Sequence, residues 1–148
     1  MYRIREMTLA DHAGVVALMA QTPGVVLRSA DGYDATARYL ARNPRLSFVA
    51  EWPSEQGGAL IGCIMSGHDG RRGYVQHLLV LPAYRRQGIG EALINACLDA
   101  LEREGIVKSN IEVLSDNHAA LRYWAQRGWQ RRDDIVRFSY LRGDDANA

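Results

Sequence analysis

Val75-Gln76-His77-Leu78-Leu79-Val80-Leu81, followed closely by Arg85-Arg86-Gln87-Gly88-Ile89-Gly90, joins an apolar strand-like run to the opening of a helical pattern. That order describes an anion site. Gly88 and Gly90 lack a Cβ and let the main chain approach a ligand. The first-turn amides of the helix that follows have no intrahelical partners and point outward. A pyrophosphate suits such a helix start, where the dipole is positive and Arg85 and Arg86 add charge. Without an anion, the same two arginines would oppose the dipole.

Two common phosphate motifs are excluded. A Walker loop needs Gly-Lys-Ser/Thr after four intervening residues, and the only lysine is Lys108. The dinucleotide fingerprint needs a third glycine where Leu93 stands, and no early βαβ unit surrounds the site.

The remaining pattern resembles the GNAT superfamily of N-acetyltransferases, whose acyl-CoA signature is Gln/Arg-x-x-Gly-x-Gly/Ala between the fourth strand and third helix. Arg85, Gly88 and Gly90 fill its positions, and His77 to Pro82 is similar to the family's strand. A second block agrees: Asn117-His118-Ala119-Ala120-Leu121-Arg122-Tyr123-Trp124, then Gly128-Trp129, is similar to the family's Asn-x-x-Ala-x-x-x-Tyr-x-x-x-Gly-Phe. The resemblance covers roughly residues 2 to 141.

Composition fits one soluble domain spanning residues 1–148. Apolar residues make up 47% and charged ones 24%, the proportions of an ordinary globule. A net charge of +1 gives no general pull toward nucleic acid or an acidic membrane, so neither is expected as a partner. Cys63 and Cys97 fall in apolar patterns and read as buried, reduced thiols. No metal-ligand spacing is present, so no metal is expected. The start Met1-Tyr2-Arg3-Ile4-Arg5 has no apolar signal core and no stretch has the length of a membrane span, which predicts a cytoplasmic protein.

Periodicity predicts a first strand over Tyr2 to Met7, an N-cap signal in Thr8 and Asp11, and a helix to about Ala20. A second helix spans Asp31 to Arg42, and Asn43-Pro44 stops it. Leu46 to Trp52, Ala59 to Ser66 and Gly73 to Leu81 read as three antiparallel strands, the first two joined by a turn over Pro53 to Gly58. A helix from Ile89 ends near Gly105, with Leu93, Ala96, Cys97, Ala100 and Leu101 on its apolar stripe. Ser109 to Leu114 is a fifth strand, Asn117 caps the last helix, Gly128 ends it, and Ile135 to Leu141 alternates as a closing strand. Residues 143–148 form a polar tail expected to be disordered. The fold expected is α/β, and the resemblance implies a mixed, mostly antiparallel GNAT-like sheet of about six or seven strands flanked by about four helices.

The resemblance implies acetyl-CoA as co-substrate, its pantetheine arm running along the main chain of Leu78, Leu79 and Val80. It implies a diphosphate held by Arg85, Arg86, Gln87, Gly88, Ile89 and Gly90, with Asn117 as a cap, a coenzyme contact or both. The acceptor would be a primary amine of a peptide N-terminus, a lysine or a small molecule, attacked directly in a ternary complex. An alkylamine arrives protonated, with a pKa of about 10, so a base is required. Glu112 is the first candidate, because Ile111 and Val113 face one side of the sheet and its carboxylate the other. Some GNAT branches carry the base five residues before the asparagine. His77 is the second, since imidazole titrates near neutrality; a water chain is an alternative to both. The chain departs from the family where a tyrosine usually protonates the leaving sulfur: Trp124 stands there. Indole cannot deliver a proton. Tyr123 is the adjacent phenol and the remaining candidate acid, although one helical step turns it about 100° away. Trp124 is placed either along the coenzyme or in the core beside Leu121. Thiols leave well without an acid, because they titrate near 8.5.

The acceptor is expected near residues 11 to 42, where Asp31, Tyr33 and Asp34 either meet a cationic amine or cap and coat a helix. Trp124 also motivates a second reading, a non-catalytic acyl-CoA-binding or sensing domain. A third is a peptide binder using an open strand edge. Family members often dimerise, so a homodimer is also implied.

Overall fold

The structure is a computed structural model that describes residues 1–53 and 57–148. The chain falls into two compact units, Met1–Ile111 with Asn147 and Glu112–Ala146 with Ala148.

The first unit runs β1 (Arg3–Glu6), α1 (His12–Ala20), α2 (Tyr33–Arg42), β2 (Phe48–Trp52), β3 (Ala59–His68), β4 (Gly73–Val80), α3 (Ile89–Arg103) and β5 (Ser109–Ile111). Short 3-10 turns at Leu9–Asp11, Ser29–Asp31 and Pro82–Tyr84 precede α1, α2 and α3. The strands form one sheet in the order β1-β2-β3-β4-β5, antiparallel except for the parallel β4–β5 pair. β3 is buried on both faces, which explains its nearly unbroken apolar run. On one face Cys63 and Met65 join Val15, Leu18 and Met19 of α1, with Met7, Val49 and Leu79. On the other, Gly62 lets α3 lie close: a Cβ there would come within 3.4 Å of Leu93 Cδ1 and 2.9 Å of the Leu79 carbonyl oxygen. The buried stripe of α3 is Ile89, Leu93, Ile94, Cys97, Ala100 and Leu101, so Ile94 takes the place expected of the half-buried Ala96.

An ion network ties β1 to its neighbours. Arg5 donates from Nη1 and Nη2 to the two Asp11 oxygens at 2.9 and 2.8 Å, and from Nε to Glu51 Oε2 at 3.1 Å, while Arg3 bonds the other Glu51 oxygen. Burial pushes the Asp11 carboxyl up, but Arg5 and the Thr8 amide outweigh it and hold Asp11 below its ordinary range. Arg3 holds Glu51 low against the opposing effect of burial, and Arg5 adds to the pull.

The second unit contains α4 (His118–Gln126), whose Asn117 cap accepts the Ala120 amide at 3.1 Å. Gly128, at φ +84°, ends the helix by donating to the Ala125 carbonyl at 3.1 Å.

Four helices agree with expectation, but the sheet has five strands among the described residues rather than six or seven. The closing strand over Ile135 to Leu141 does not form: Ile135, Val136, Phe138 and Tyr140 are all exposed. Alternation makes a strand only where a neighbour completes the ladder, and none pairs with this segment. β5 likewise stops at Ile111 instead of Leu114, and α2 starts at Tyr33 because the preceding turn occupies Ser29–Asp31. The turn expected over 53–58 lies partly outside the described residues. Residues 143–148 carry no helix or strand and are exposed.

Arg5→Ala leaves two buried carboxylates without their shared cation. Urea denaturation is expected to show a loss of about 2 to 3 kcal/mol, less than for a fully buried pair because Arg5 is partly exposed. Both carboxyls are depressed in the folded state, so their contribution is complete above the ordinary values of 3.8 and 4.5. It is lost as pH falls through the lowered ones, and Arg5→Ala should flatten that acid limb.

Candidate functional site

β4 and β5 pair only at Gly73–Ser109, Tyr74–Asn110 and Val75–Ile111. Beyond Val75, β4 continues to Val80 with β3 on one side and no ladder partner on its β5 side among the described residues. Between residues 76 and 80 the main-chain groups that point away from β3 have no strand partner along that edge among the described residues, apart from the Val80 carbonyl, which accepts Arg85 Nε, and an edge of this kind suits a ligand that binds as an added strand. A bulge opposite Cys63 to Met65 accompanies the parting, and His77 sits in it with φ +54°. A left-handed histidine is an uncommon conformation that tertiary contacts must hold.

The strand leads into the glycine loop. Gly88 has φ +79° and is the N-cap of α3, and Arg86 before it is also left-handed at φ +62°. The first helical bond of α3 runs from the Ala92 amide to the Gly88 carbonyl at 3.0 Å. The amides of Ile89, Gly90 and Glu91 precede it and have no partner among the described residues, the configuration of an anion site. Around Gly88 the space is open: a Cβ there would find only the Tyr2 hydroxyl, at 3.9 Å. Arg85, Arg86 and Gln87 are exposed. Arg85 Nε donates to the Val80 carbonyl at 3.2 Å, which fixes the side chain beside the end of β4 and leaves its other guanidinium hydrogens for a ligand. Ile89 contributes only main chain, because its side chain is buried in the core. Leu79 is also buried, with Leu78 and Val80 half-buried, so these positions too can act only through backbone groups. The loop therefore fits a diphosphate and the strand edge fits an amide-bearing arm.

His77 also lines a cavity of about 500 Å³ between α1, α2 and β4. Its Nε2 lies 3.0 Å from Oδ1 of Asp31, whose other oxygen accepts the Arg28 amide at 2.8 Å. Asp31 is nearly enclosed, with a tenth of its side chain exposed. His12, on the same wall, lies 2.9 Å from the Asp31 carbonyl oxygen and edge-on to Tyr33. Sequence reasoning singled out His77 and Asp31 separately but not their contact, because the bulge that brings them together has no sequence signature. Asp34 and Tyr33 are exposed on α2.

In the second unit Glu112 is exposed and paired with Arg137. Trp124 is buried, packed edge-on against Trp129 at 4.8 Å between ring centres. Tyr123 lies under the Arg127 guanidinium, 3.5 Å from its ring centre. Cys63 and Cys97 are buried, and burial pushes both thiols up to about 12, which removes them as nucleophiles at neutral pH. Among the described residues no group of three or more His, Cys, Asp or Glu is placed to hold a metal ion, and no helix is long and apolar enough to cross a membrane.

Comparison with known proteins points the same way. The profile of the acetyltransferase (GNAT) family matches residues 15–129. An acetyltransferase of Yersinia enterocolitica is 35% identical over 99 residues, 67% of each chain. N-alpha-acetyltransferase 30 of Schizosaccharomyces pombe is 36% identical over 105 residues, 70% of this chain and 69% of that one. The fold matches that of the PaiA N-acetyltransferase of Thermoplasma acidophilum, solved in complex with coenzyme A, with a TM-score of 0.75, 16% identity, and coverage of 91% and 93% of the two chains.

Gly88→Ala introduces a Cβ where space is free but φ is left-handed. The expected cost is about 1 kcal/mol of loop conformation, read as roughly a fivefold or greater loss of coenzyme A affinity by calorimetry.

Proposed function

Because this chain belongs to the acetyltransferase (GNAT) family, we propose that it moves an acetyl group from acetyl-CoA to a primary amine by direct transfer, with His77 as the proton acceptor. The observation that carries this reading is the parting of β4 from β5 after Val75: the same short segment offers an open main-chain edge and turns His77 toward the cavity beside Asp31.

Acetyl-CoA, as co-substrate, supplies an activated thioester. The diphosphate is held by the unpartnered amides of Ile89, Gly90 and Glu91 together with Arg85 and Arg86, and the arm pairs with the free edge of residues 78 to 80. A main-chain N–H in that edge polarises the thioester carbonyl, where charge develops in the transition state. On the amine side, His77 takes the proton that the attacking nitrogen must lose. The imidazolium so formed lies against the Asp31 carboxylate, which stabilises it. Nitrogen then bonds to the carbonyl carbon, the carbon–sulfur bond breaks, and the second nitrogen proton passes through solvent to the departing thiolate, leaving a neutral amide and the free thiol. No covalent acyl-enzyme is required, in keeping with the sealed state of Cys63 and Cys97.

Compared with Glu112, His77 is favoured because it faces a cavity of about 500 Å³, large enough for an acceptor, whereas Glu112 is exposed and engaged by Arg137. His77→Gln should lower kcat by about a hundredfold or more while coenzyme A affinity stays within about twofold. Glu112→Gln should change kcat less than about threefold in the same thiol-release assay. The opposite ranking moves the base to Glu112. Coenzyme A binding without thiol release across a broad amine panel replaces catalysis with acyl-CoA sensing.

A further inference from the structure

The cavity beside His77 carries a charge pattern that acetyl transfer alone does not need. Three arginines, Arg28, Arg38 and Arg42, line it, against one acidic residue, Asp31, which His77 already engages. None of the three guanidinium groups has an ion-pair partner among the described residues, although other arginines of the first unit are paired, as Arg3 and Arg5 are. Arg38 and Arg42 stand four residues apart on α2, on one face of the helix, where like charges repel. The deeper wall, including Val15, Met19 and Met65, is apolar and buried. In that wall the Tyr39 hydroxyl is buried. The Gln76 side chain lies beside it and acts on it as a hydrogen-bonding neighbour.

A polycationic acceptor would meet three arginines and a single, already engaged carboxylate. A simple alkylamine would leave the arginines unanswered. We infer that the acceptor is a small primary amine that also bears an anionic group, a carboxylate or a phosphate, read by the exposed guanidinium groups of Arg28, Arg38 and Arg42, while its amine reaches His77. At about 500 Å³ the space suits a molecule of that size. This assignment rests on the acetyl-transfer reading and narrows it.

The test uses the full chain, acetyl-CoA and a set of acceptors with the same aminoalkyl body: the unsubstituted amine, the ω-amino carboxylate, the ω-amino phosphonate and the diamine. The better of the two anionic acceptors should exceed the neutral amine in kcat/KM by at least about tenfold, mainly through KM, and the diamine should be poorest. Comparing carboxylate with phosphonate identifies which anion is read. In the Arg38→Gln/Arg42→Gln double variant the anionic-to-neutral ratio should collapse to within about threefold. A parallel thermal-shift series without acetyl-CoA should show stabilisation by the preferred anionic amine, reduced in the double variant and at high salt. Equal use of neutral amine or diamine, or a preference that survives in the double variant, overturns the assignment while leaving acetyl transfer intact. If no amine releases thiol, acetyl transfer fails instead, and the thermal series alone decides whether the cavity selects anions.

Discussion

The structure depends on where a parallel strand pair ends. Every main-chain donor and acceptor in a folded protein must find a partner, and a sheet ordinarily supplies it strand by strand. In this protein the supply stops at Val75 on one side of β4, although the strand continues to Val80. The unmet groups leave that edge open to an added strand-like ligand. The same departure produces the bulge that puts His77 into a left-handed conformation and turns it to the α1–α2 wall. One irregularity in the ladder thus shapes both the unpaired edge and the cavity wall. The flanking core keeps it fixed, with α1 packed on one face of β3 and α3 on the other.

The glycine loop works on the same economy of main chain. Arg85, Arg86 and Gln87 are exposed and Ile89 is buried, so the donors that the loop itself can offer an anion include amides that the helix cannot use. Gly88 permits the left-handed turn, and Arg85 is steadied by the Val80 carbonyl. Binding there depends little on side-chain identity beyond glycine and charge, so it leaves a short, regular trace in sequence.

That difference in trace explains what could be read without coordinates. The loop, the apolar stripe of α3, the Asn117 cap and the three antiparallel strands were legible because each rests on local chemistry: a glycine conformation, a helical period, a capping amide. Ile135 to Leu141 misled, since its alternation is necessary for a strand but a partner is also required. The contact of His77 with Asp31 was illegible, because it joins residues far apart in sequence through a bulge that only β-pairing creates. Nothing in the sequence sets Arg38 and Arg42 apart from other arginines, and only the fold gathers them with Arg28 around one cavity. Charge that looks dispersed along a chain acquires meaning from the walls it shares.

The sealing of Cys63 and Cys97 has a practical consequence. A transfer from coenzyme A sheds a free sulfhydryl at every turnover, and a protein with reactive cysteines would compete with it for oxidants and form mixed disulfides with it. Held at full burial, with ionisation pushed to about 12, these two stay silent. A sulfhydryl dye added to the native protein therefore reports the shed coenzyme and not the protein, and the product does not lodge on the chain that made it.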